Sequence, residues 1–262
     1  MTGHLLPALT GNPLLSNHRL FGAEPVPGVS DRDTLIRRYG FAVPTEEALQ
    51  SIGDASPGGV VEVGAGTGYW ARLLYERGVD VVAYDLFPPP SPDSHWFSGV
   101  RPWYPVARGG SEVVDRHADR TLLLVWPTLN EEWATRAAAS YHSAGGTSLI
   151  YVGEGPGGRT GDEQFHALLS HYDQCVACVY DVANIACICG VERRWQLRST
   201  VALPHWEGFH DDLHIYRRGN RAAAIAPPRS ETGRRNRGRR WPRRRTSRPA
   251  AVPGRGDIES RS

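Results

Sequence analysis

The part of this sequence best suited to bind a ligand is a buried apolar run followed by three closely spaced glycines. Residues 60–63 form the run, Gly64, Gly66 and Gly68 follow it, and a helical pattern begins at Tyr69. Glycine lets the chain turn tightly and lets a ligand approach the backbone closely. The free N–H groups at the start of a helix also favour an anionic group. This strand, turn and helix therefore predict a site for a nucleotide-like cofactor.

An acidic residue at the end of the next predicted strand supports the same prediction. Asp85 lies 21 residues after Gly64, and a carboxylate near this spacing can accept hydrogen bonds from both ribose hydroxyls of an adenosine. The glycines of the dinucleotide-binding fingerprint stand at positions one, three and six. Here Gly68 occupies the fifth position and Tyr69 the sixth. A nicotinamide or flavin cofactor is therefore a weaker alternative. A tight turn that binds no ligand is the other alternative.

Residues 62–68 resemble the first motif of class I S-adenosylmethionine-dependent methyltransferases, in which an acid precedes the first of three alternating glycines. The resemblance implies that these glycines pass the methionine part of S-adenosylmethionine, that Glu62 holds its amino end and that Asp85 holds the ribose. Residues 194–203 and 213–218 fit the place of the hairpin that ends the methyltransferase sheet, so the resemblance covers about residues 31–218. Residues 38–44, 123–127 and 203–208 also resemble uncharacterised microbial methyltransferase-like proteins.

Trp126 ends a strongly apolar run over 121–126, which Pro127 closes. Ligands of open α/β sheets bind at the carboxyl ends of the strands, and an aromatic face attracts a sulfonium by a cation–π interaction. The alternative is a packing role at the strand end. The predicted cofactor-binding residues are Glu62, Gly64, Ala65, Gly66, Gly68, Asp85 and Trp126.

Two stretches depart from the methyltransferase pattern. After the third predicted strand such enzymes often place an acid that touches adenine, whereas this chain has residues 109–111, Gly-Gly-Ser, with Glu112 next. After the fourth strand, enzymes that methylate amide or base nitrogens carry an Asn/Asp-Pro-Pro-aromatic motif, whereas residues 126–129 are Trp-Pro-Thr-Leu. The second departure argues against those two substrate classes, and a small-molecule acceptor is favoured.

Methyl transfer needs no fixed catalytic residue, because positioning and desolvation supply much of the rate. The catalytic residues are therefore left unassigned. Four side chains near the ends of the last strands are candidates for a general base: His205, His210, Asp211 and Glu154. For residues 205–212 the alternative is a polar surface loop, and no single base is preferred.

Alternating strands and helices are predicted to position these residues. Strands are expected over 59–63, 79–84, 103–106, 121–126 and 148–152, and helices over 31–39, 45–52, 69–76, 130–142 and 162–172. Ser30 and Asn130 are expected to cap the first and fourth helices. Residues 194–203 and 213–218 predict a closing antiparallel hairpin. The fold class is therefore α/β, with a doubly wound, mostly parallel seven-strand sheet.

Charge divides the chain into a body and a tail. Residues 220–262 hold 13 arginines against three acids, although the whole chain has a net charge of only +2. We predict an irregular N-terminal arm over 1–29, a cofactor-binding domain over 30–218 and a disordered Arg-rich tail over 219–262. Such a tail favours weak, non-specific binding of polyanions, and a solvated tail without function is the alternative.

Four cysteines lie in a predicted insertion over 173–192: Cys175, Cys178, Cys187 and Cys189. Their apolar surroundings favour structural cysteines over a zinc site or a redox pair, so no metal is predicted. The sequence has neither a secretory signal nor an apolar run long enough to span a membrane. A cytoplasmic protein is therefore expected.

The predicted function is methyl transfer from S-adenosylmethionine to an unidentified small molecule. Two alternatives belong to other classes. One is a methyltransferase-like protein that binds the cofactor without turnover, and the other is a nucleic-acid-associated protein that acts through its Arg-rich tail.

Overall fold

A computed structural model describes residues 32–174, 195–206 and 208–218. The predicted N-terminal arm, the Ser30 cap, the Arg-rich tail and the four cysteines lie outside the described residues. None of the described helices is long and apolar enough to cross a membrane.

Seven strands form one sheet with the order β3-β2-β1-β4-β5-β7-β6. The strands are β1 Val60–Val63, β2 Val81–Asp85, β3 Val106–Arg108, β4 Thr121–Val125, β5 Ser148–Gly153, β6 Trp195–Ala202 and β7 Asp212–Arg218. Strands β1 to β5 pair in parallel, whereas β7 pairs antiparallel with both β5 and β6. The predicted fold class, a mostly parallel sheet with a closing antiparallel hairpin, is confirmed.

The described residues also form five α-helices and one 3₁₀ helix, the first two of which precede β1. They are α1 Arg32–Tyr39, α2 Glu46–Ala55, α3 Tyr69–Glu76, the 3₁₀ helix Ser111–His117, α4 Trp133–Ser143 and α5 Glu163–Gln174. Helix α2 begins after Thr45, whose hydroxyl accepts a hydrogen bond from the Ala48 N–H. Thr45 thereby satisfies one of the donors that a helix start leaves free.

The helices cover both faces of the sheet, and each face has its own apolar core. Alternate residues of a strand point to opposite faces. Val60 of β1 and Leu123 of β4 accordingly pack with helices α1 to α3. Val61 and Leu122 pack with the 3₁₀ helix, α4 and α5 on the other face. The sheet is therefore the middle of three layers.

Two local predictions were wrong. The third strand is Val106–Arg108 rather than 103–106, because Trp103 packs by stacking on Tyr39 instead of pairing in the sheet. Asn130 does not cap α4, which begins only at Trp133. Asn130 instead has a positive φ of 60°, and its N–H donates to the Gly161 carbonyl across a neighbouring loop.

The strand order reverses direction beside β1, and this places the glycine turn. The chain leaves β1 to form β2 and β3 on one side, and then crosses to β4 and β5 on the other. Parallel strands of this kind leave a crevice outside their carboxyl ends at the point of reversal. The glycine turn that follows β1 and Trp126 after β4 both border that crevice.

Candidate functional site

A cleft of about 1470 Å³ lies at the carboxyl ends of β1, β2 and β4. A pocket for one drug-sized ligand has a volume of about 300–1000 Å³, so this cleft is larger than one such ligand needs. Six of the seven residues predicted to bind a cofactor line it, and Gly68 does not: Glu62, Gly64, Ala65, Gly66, Asp85 and Trp126.

The glycine turn needs glycine for its backbone conformation. Gly64 and Gly66 have positive φ angles of 73° and 51°, which side-chain-bearing residues rarely adopt. The faces of these two glycines contact aromatic rings of the chain itself: a Cβ on Gly64 would lie 2.5 Å from the Trp133 indole, and one on Gly66 would lie 2.6 Å from the Phe97 ring. The glycines therefore serve the packing of these rings and do not by themselves require a ligand.

Glu62 provides a separate indication of a ligand. Its side chain is 1% exposed, and among the described residues its Oε2 atom has no hydrogen-bond partner. The N–H of Ala71, in the first turn of α3, donates a hydrogen bond to the carboxyl group. Burial raises the pKa of Glu62 from 4.5 to about 8, against the lowering effect of the Ala71 bond and with a further rise from the charge of Asp85. A buried acceptor without a partner is costly, and a cationic ligand group would relieve that cost.

Asp85 fastens the glycine turn to the end of β2. Its Oδ2 accepts a 2.9 Å hydrogen bond from the Gly66 N–H, and its Oδ1 accepts one of the same length from the Phe87 N–H. A carboxylate oxygen can accept more than one hydrogen bond, so both oxygens keep capacity for ligand hydroxyls. Asp85 and Glu62 thus stand on either side of the same turn.

Gly68 occupies the cap position of α3, with a φ of 70°. A Cβ there would meet the Val106 side chain at 2.9 Å and Tyr104 at 3.1 Å. The structure therefore places Gly68 against the segment leading into β3, away from the cleft. Ala65, whose N–H donates to the Tyr84 carbonyl, lines the cleft.

Trp126 borders the other side of the cleft in an unusual backbone conformation. Its φ of 53° is positive, which is rare for a bulky residue and recurs at functional sites. Its ring stacks on Phe41 with 4.6 Å between centroids and an angle of 5°. Its indole N–H donates to Asp211 at 2.8 Å. The stacking therefore holds one face of the Trp126 ring, and the hydrogen bond holds its edge.

None of the four candidate bases is among the residues that line the cleft. Glu154 is buried, and its two oxygens accept hydrogen bonds from the N–H groups of His210 and Arg159. It therefore joins the loop after β5 to the loop before β7. Asp211 is buried behind Trp126, and burial raises its pKa from 3.8 to about 6. Both acids position neighbouring segments.

The two histidines among the candidates lie beside each other. The ring centroids of His205 and His210 are 5.2 Å apart, and His205 Nδ1 is 3.3 Å from the Trp206 carbonyl oxygen. Within the described ranges, no group of three or more His, Cys, Asp or Glu side chains is arranged to hold a metal ion.

The residues that follow β3, where the sequence departs from the methyltransferase pattern, line the cleft, and Glu112 has a partner within the chain. Glu112 Oε1 accepts a hydrogen bond from the Gly110 N–H at 2.9 Å. This hydrogen bond lowers the pKa of Glu112. Glu112 therefore stabilises the start of the 3₁₀ helix at this edge of the cleft.

Sequence reasoning singled out Trp126 but missed the three phenylalanines that join it in a row of aromatic rings along the cleft, Phe41, Phe97 and Phe209. Phe97 contacts Gly66, and its ring centroid lies 6.3 Å from that of Phe41. Trp126 stacks on Phe41, and its ring centroid lies 5.7 Å from that of Phe209. No periodic pattern marks these residues, because they come from four different loops, which lie between α1 and α2, β2 and β3, β4 and α4, and β6 and β7. For the three phenylalanines, the only signal in the sequence is an aromatic residue outside the predicted strands and helices.

Comparisons with known proteins concern the fold. No family model and no curated protein matches the sequence. A magnesium protoporphyrin IX methyltransferase from Synechocystis, solved with bound S-adenosylmethionine, is 12% identical, with 77% of this chain and 88% of that chain covered and a TM-score of 0.39. A putative tRNA (m1A22) methyltransferase from Streptococcus pneumoniae is 10% identical over 69% and 73% of the two chains, with a TM-score of 0.38.

A protein of the NADB-Rossmann superfamily from Streptococcus agalactiae matches as well. It is 11% identical over 66% of this chain and 68% of that chain, with a TM-score of 0.38. At such low similarity these matches carry no information about activity.

Proposed function

We propose that this chain is an S-adenosylmethionine-dependent methyltransferase that acts on a small molecule. The observation that carries the proposal is the buried carboxyl group of Glu62, which has an oxygen without a described partner at the wall of the cleft. The ammonium group of an amino acid is the kind of ligand that such an acceptor binds most strongly.

Three features of the cleft would each bind a different part of this cofactor. Glu62 would bind the ammonium group of the methionine part, and Asp85 the ribose hydroxyls. The backbone of Gly64, Ala65 and Gly66 would lie along the ligand between these two acids. When bound, the cofactor supplies a methyl group on a sulfonium, which a nucleophile can displace. The predicted role of Gly68 is better described as packing at the helix start.

Trp126 would border the sulfonium end of the cofactor. Its ring stands after β4, on the side of the cleft opposite Asp85, and an aromatic face stabilises a nearby cation. The stacking on Phe41 and the bond to Asp211 hold this ring in place. Phe41, Trp126 and Phe209 also make this side of the cleft apolar, and exclusion of water strengthens electrostatic interactions there.

Titration calorimetry with S-adenosylhomocysteine tests the cofactor assignment, with NAD as the comparison ligand. We expect binding in the micromolar range, no measurable binding of NAD, and at least a tenfold loss in Asp85→Ala, equivalent to about 1.4 kcal/mol. Asp115→Ala is the matched control, because Asp115 is exposed and is not among the residues lining the cleft. No binding of S-adenosylhomocysteine to the folded wild type would refute the proposal.

A second ligand pair separates a ribose contact from a general loosening of the turn, since Asp85 also holds Gly66. Adenosine should bind the wild type more tightly than 2′,3′-dideoxyadenosine does. In Asp85→Ala this difference should disappear. If the variant weakens both nucleosides equally and keeps the difference, Asp85 does not bind the ribose.

A second candidate function is a protein that binds the cofactor without turnover. It is favoured by one observation: none of the four candidate bases lines the cleft. The two functions differ in product formation. Release of S-adenosylhomocysteine from S-adenosylmethionine, measured across a panel of small acids, phenols and amines, supports the enzyme. Tight cofactor binding without product for any acceptor supports the binding protein.

A further inference from the structure

Two arginines meet at the end of the aromatic row farthest from the glycine turn. The guanidinium carbons of Arg32 and Arg159 each lie 4.5 Å from the centroid of the Phe209 ring. The two carbons are therefore no farther apart than twice that distance. All three residues line the cleft, and Phe209 itself is only 9% exposed. Two positive charges thus flank one buried ring at one end of the cleft.

The charge of this pair is only weakly compensated by the described residues. Among the described residues, Arg32 forms a salt bridge with Asp33 at 3.7 Å, and the Asp33 side chain is 85% exposed. The Nε atom of Arg32 is buried and has no hydrogen-bond partner among the residues described. Arg159 forms no salt bridge within the same ranges, because the nearby Glu154 carboxylate accepts from backbone N–H groups. An anionic ligand would supply the missing partner.

The loops that carry Arg159 and Phe209 are held together by hydrogen bonds, whereas Arg32 stands at the start of α1. Besides its bonds to Arg159 and His210, Glu154 has an N–H that donates to the Thr160 hydroxyl at 2.9 Å. Tyr151 donates from its hydroxyl to the Glu154 carbonyl at 2.6 Å. The loop after β5 and the loop carrying Phe209 therefore form one hydrogen-bonded unit, which presents Arg159 at a fixed place.

We infer that this end of the cleft, formed by Arg32, Arg159 and Phe209, binds the carboxylate of a planar aromatic acceptor. A guanidinium offers a planar, forked set of donors that matches a carboxylate. The adjoining wall of Phe41 and Trp126 offers ring faces and edges to a planar apolar body. The inference rests on the proposed function, because it assigns the second molecule in the cleft as the methyl acceptor.

The direct test uses 2-naphthoate as the probe, with its neutral analogue 2-naphthamide, in calorimetric titrations with and without saturating S-adenosylhomocysteine. We expect naphthoate to bind at least about tenfold more tightly than naphthamide, since hydrogen bonds between charged groups are stronger than those to a neutral amide. Arg159→Gln and Arg32→Gln should each weaken naphthoate about tenfold while naphthamide changes little.

Arg136→Gln is the matched control. Arg136 also lines the cleft, but it already has a carboxylate partner in Glu132 at 3.5 Å. Its loss should change naphthoate affinity by less than about twofold. Arg159 is exposed, so its substitution leaves the core intact, and unchanged S-adenosylhomocysteine affinity in the same variant confirms a folded cleft.

The outcomes separate this inference from the proposed function. If S-adenosylhomocysteine binds but naphthoate does not, or if naphthoate and naphthamide bind equally, the inference is refuted and the proposed function stands. If naphthoate binds through the two arginines but S-adenosylhomocysteine does not bind, the anionic site is supported and the proposed function is refuted. If a short oligothymidylate displaces naphthoate through the same arginines, the site accepts nucleic acid and the small-molecule inference fails.

Discussion

The indole N–H of Trp126 donates a 2.8 Å hydrogen bond to the carboxylate of Asp211, although 85 residues separate them in the sequence. Asp211 stands just before β7, and Trp126 just after β4. The bond fixes the edge of a ring whose backbone has a positive φ. The second oxygen of Asp211 is buried and has no partner among the described residues. Asp211 therefore holds Trp126 in the cleft wall at some cost in stability when it is ionised.

That cost predicts a dependence of stability on pH. Burial raises the pKa of Asp211 to about 6 in the folded protein, and the hydrogen bond from Trp126 lowers it less than burial raises it. The folded state therefore holds a proton that the unfolded state has released between about pH 4 and pH 6. Its contribution to stability is complete below this interval and is lost as the pH rises through it.

Asp211→Asn should therefore be more stable than the wild type at pH 7, by on the order of 2 kcal/mol, and about equally stable at pH 4. The amide keeps an oxygen that can accept from Trp126. Urea denaturation at the two pH values measures the difference. Asp211→Ala removes the acceptor and should destabilise the protein at both pH values. An effect of Asn that is equal at pH 4 and pH 7 would contradict the assignment.

A second prediction concerns the conformation and packing of Gly68. An alanine there must adopt a positive φ, which costs about 1–2 kcal/mol, and its Cβ meets Val106 and Tyr104, whose nearest atoms lie close to the backbone. Gly78→Ala is the matched control, because Gly78 has a similar φ of 80° and a Cβ added there would meet nothing within 4 Å.

Gly68→Ala should therefore lose about 1–2 kcal/mol more unfolding free energy than Gly78→Ala does. Urea denaturation of both variants at one pH gives the comparison. Equal losses would show that the contact with the segment before β3 costs nothing and that only the backbone conformation matters at residue 68.

Much of the fold could be predicted from local patterns. Helix α3 has the predicted bounds, Tyr69–Glu76, because an amphipathic face follows a glycine start and Gly78 ends it. Strands β4 and β5 are continuous apolar runs that are buried on both faces. A continuous apolar run predicts a buried strand by itself, since a strand that is covered on both faces is apolar along most of its length.

The candidate site was less predictable, because its parts meet only through the tertiary fold. The glycine turn and Asp85 were visible, since they stand at the ends of successive strands. The bond between Trp126 and Asp211, and the two arginines around Phe209, join segments far apart in the sequence. The 3₁₀ helix Ser111–His117 was not predicted. Its two buried apolar residues are adjacent and follow Gly109 and Gly110, so they show no helical period.

The last prediction concerns the proton on Glu62. Because burial raises its pKa to about 8, Glu62 is mostly protonated at pH 7. If the ammonium group of S-adenosylhomocysteine binds beside it, the positive charge favours the carboxylate and lowers this pKa. Binding at pH 7 should then release close to one proton per ligand. The slope of the binding enthalpy against the ionisation enthalpy of the buffer, in phosphate, imidazole and Tris, measures this number.

Glu62→Gln is the informative variant, because glutamine keeps the shape of the side chain and cannot release a proton. It should bind S-adenosylhomocysteine at least tenfold more weakly, a loss of about 1.4 kcal/mol, and its binding enthalpy should not depend on the buffer. The variant should also be more stable than the wild type without ligand at pH 8. The sign follows from the raised pKa, whose stabilising contribution is complete below about pH 4.5 and is lost as the pH rises towards 8. Tight binding by the wild type with no proton release would place the ammonium group away from Glu62, and the assignment of this carboxyl group to the cofactor would fail.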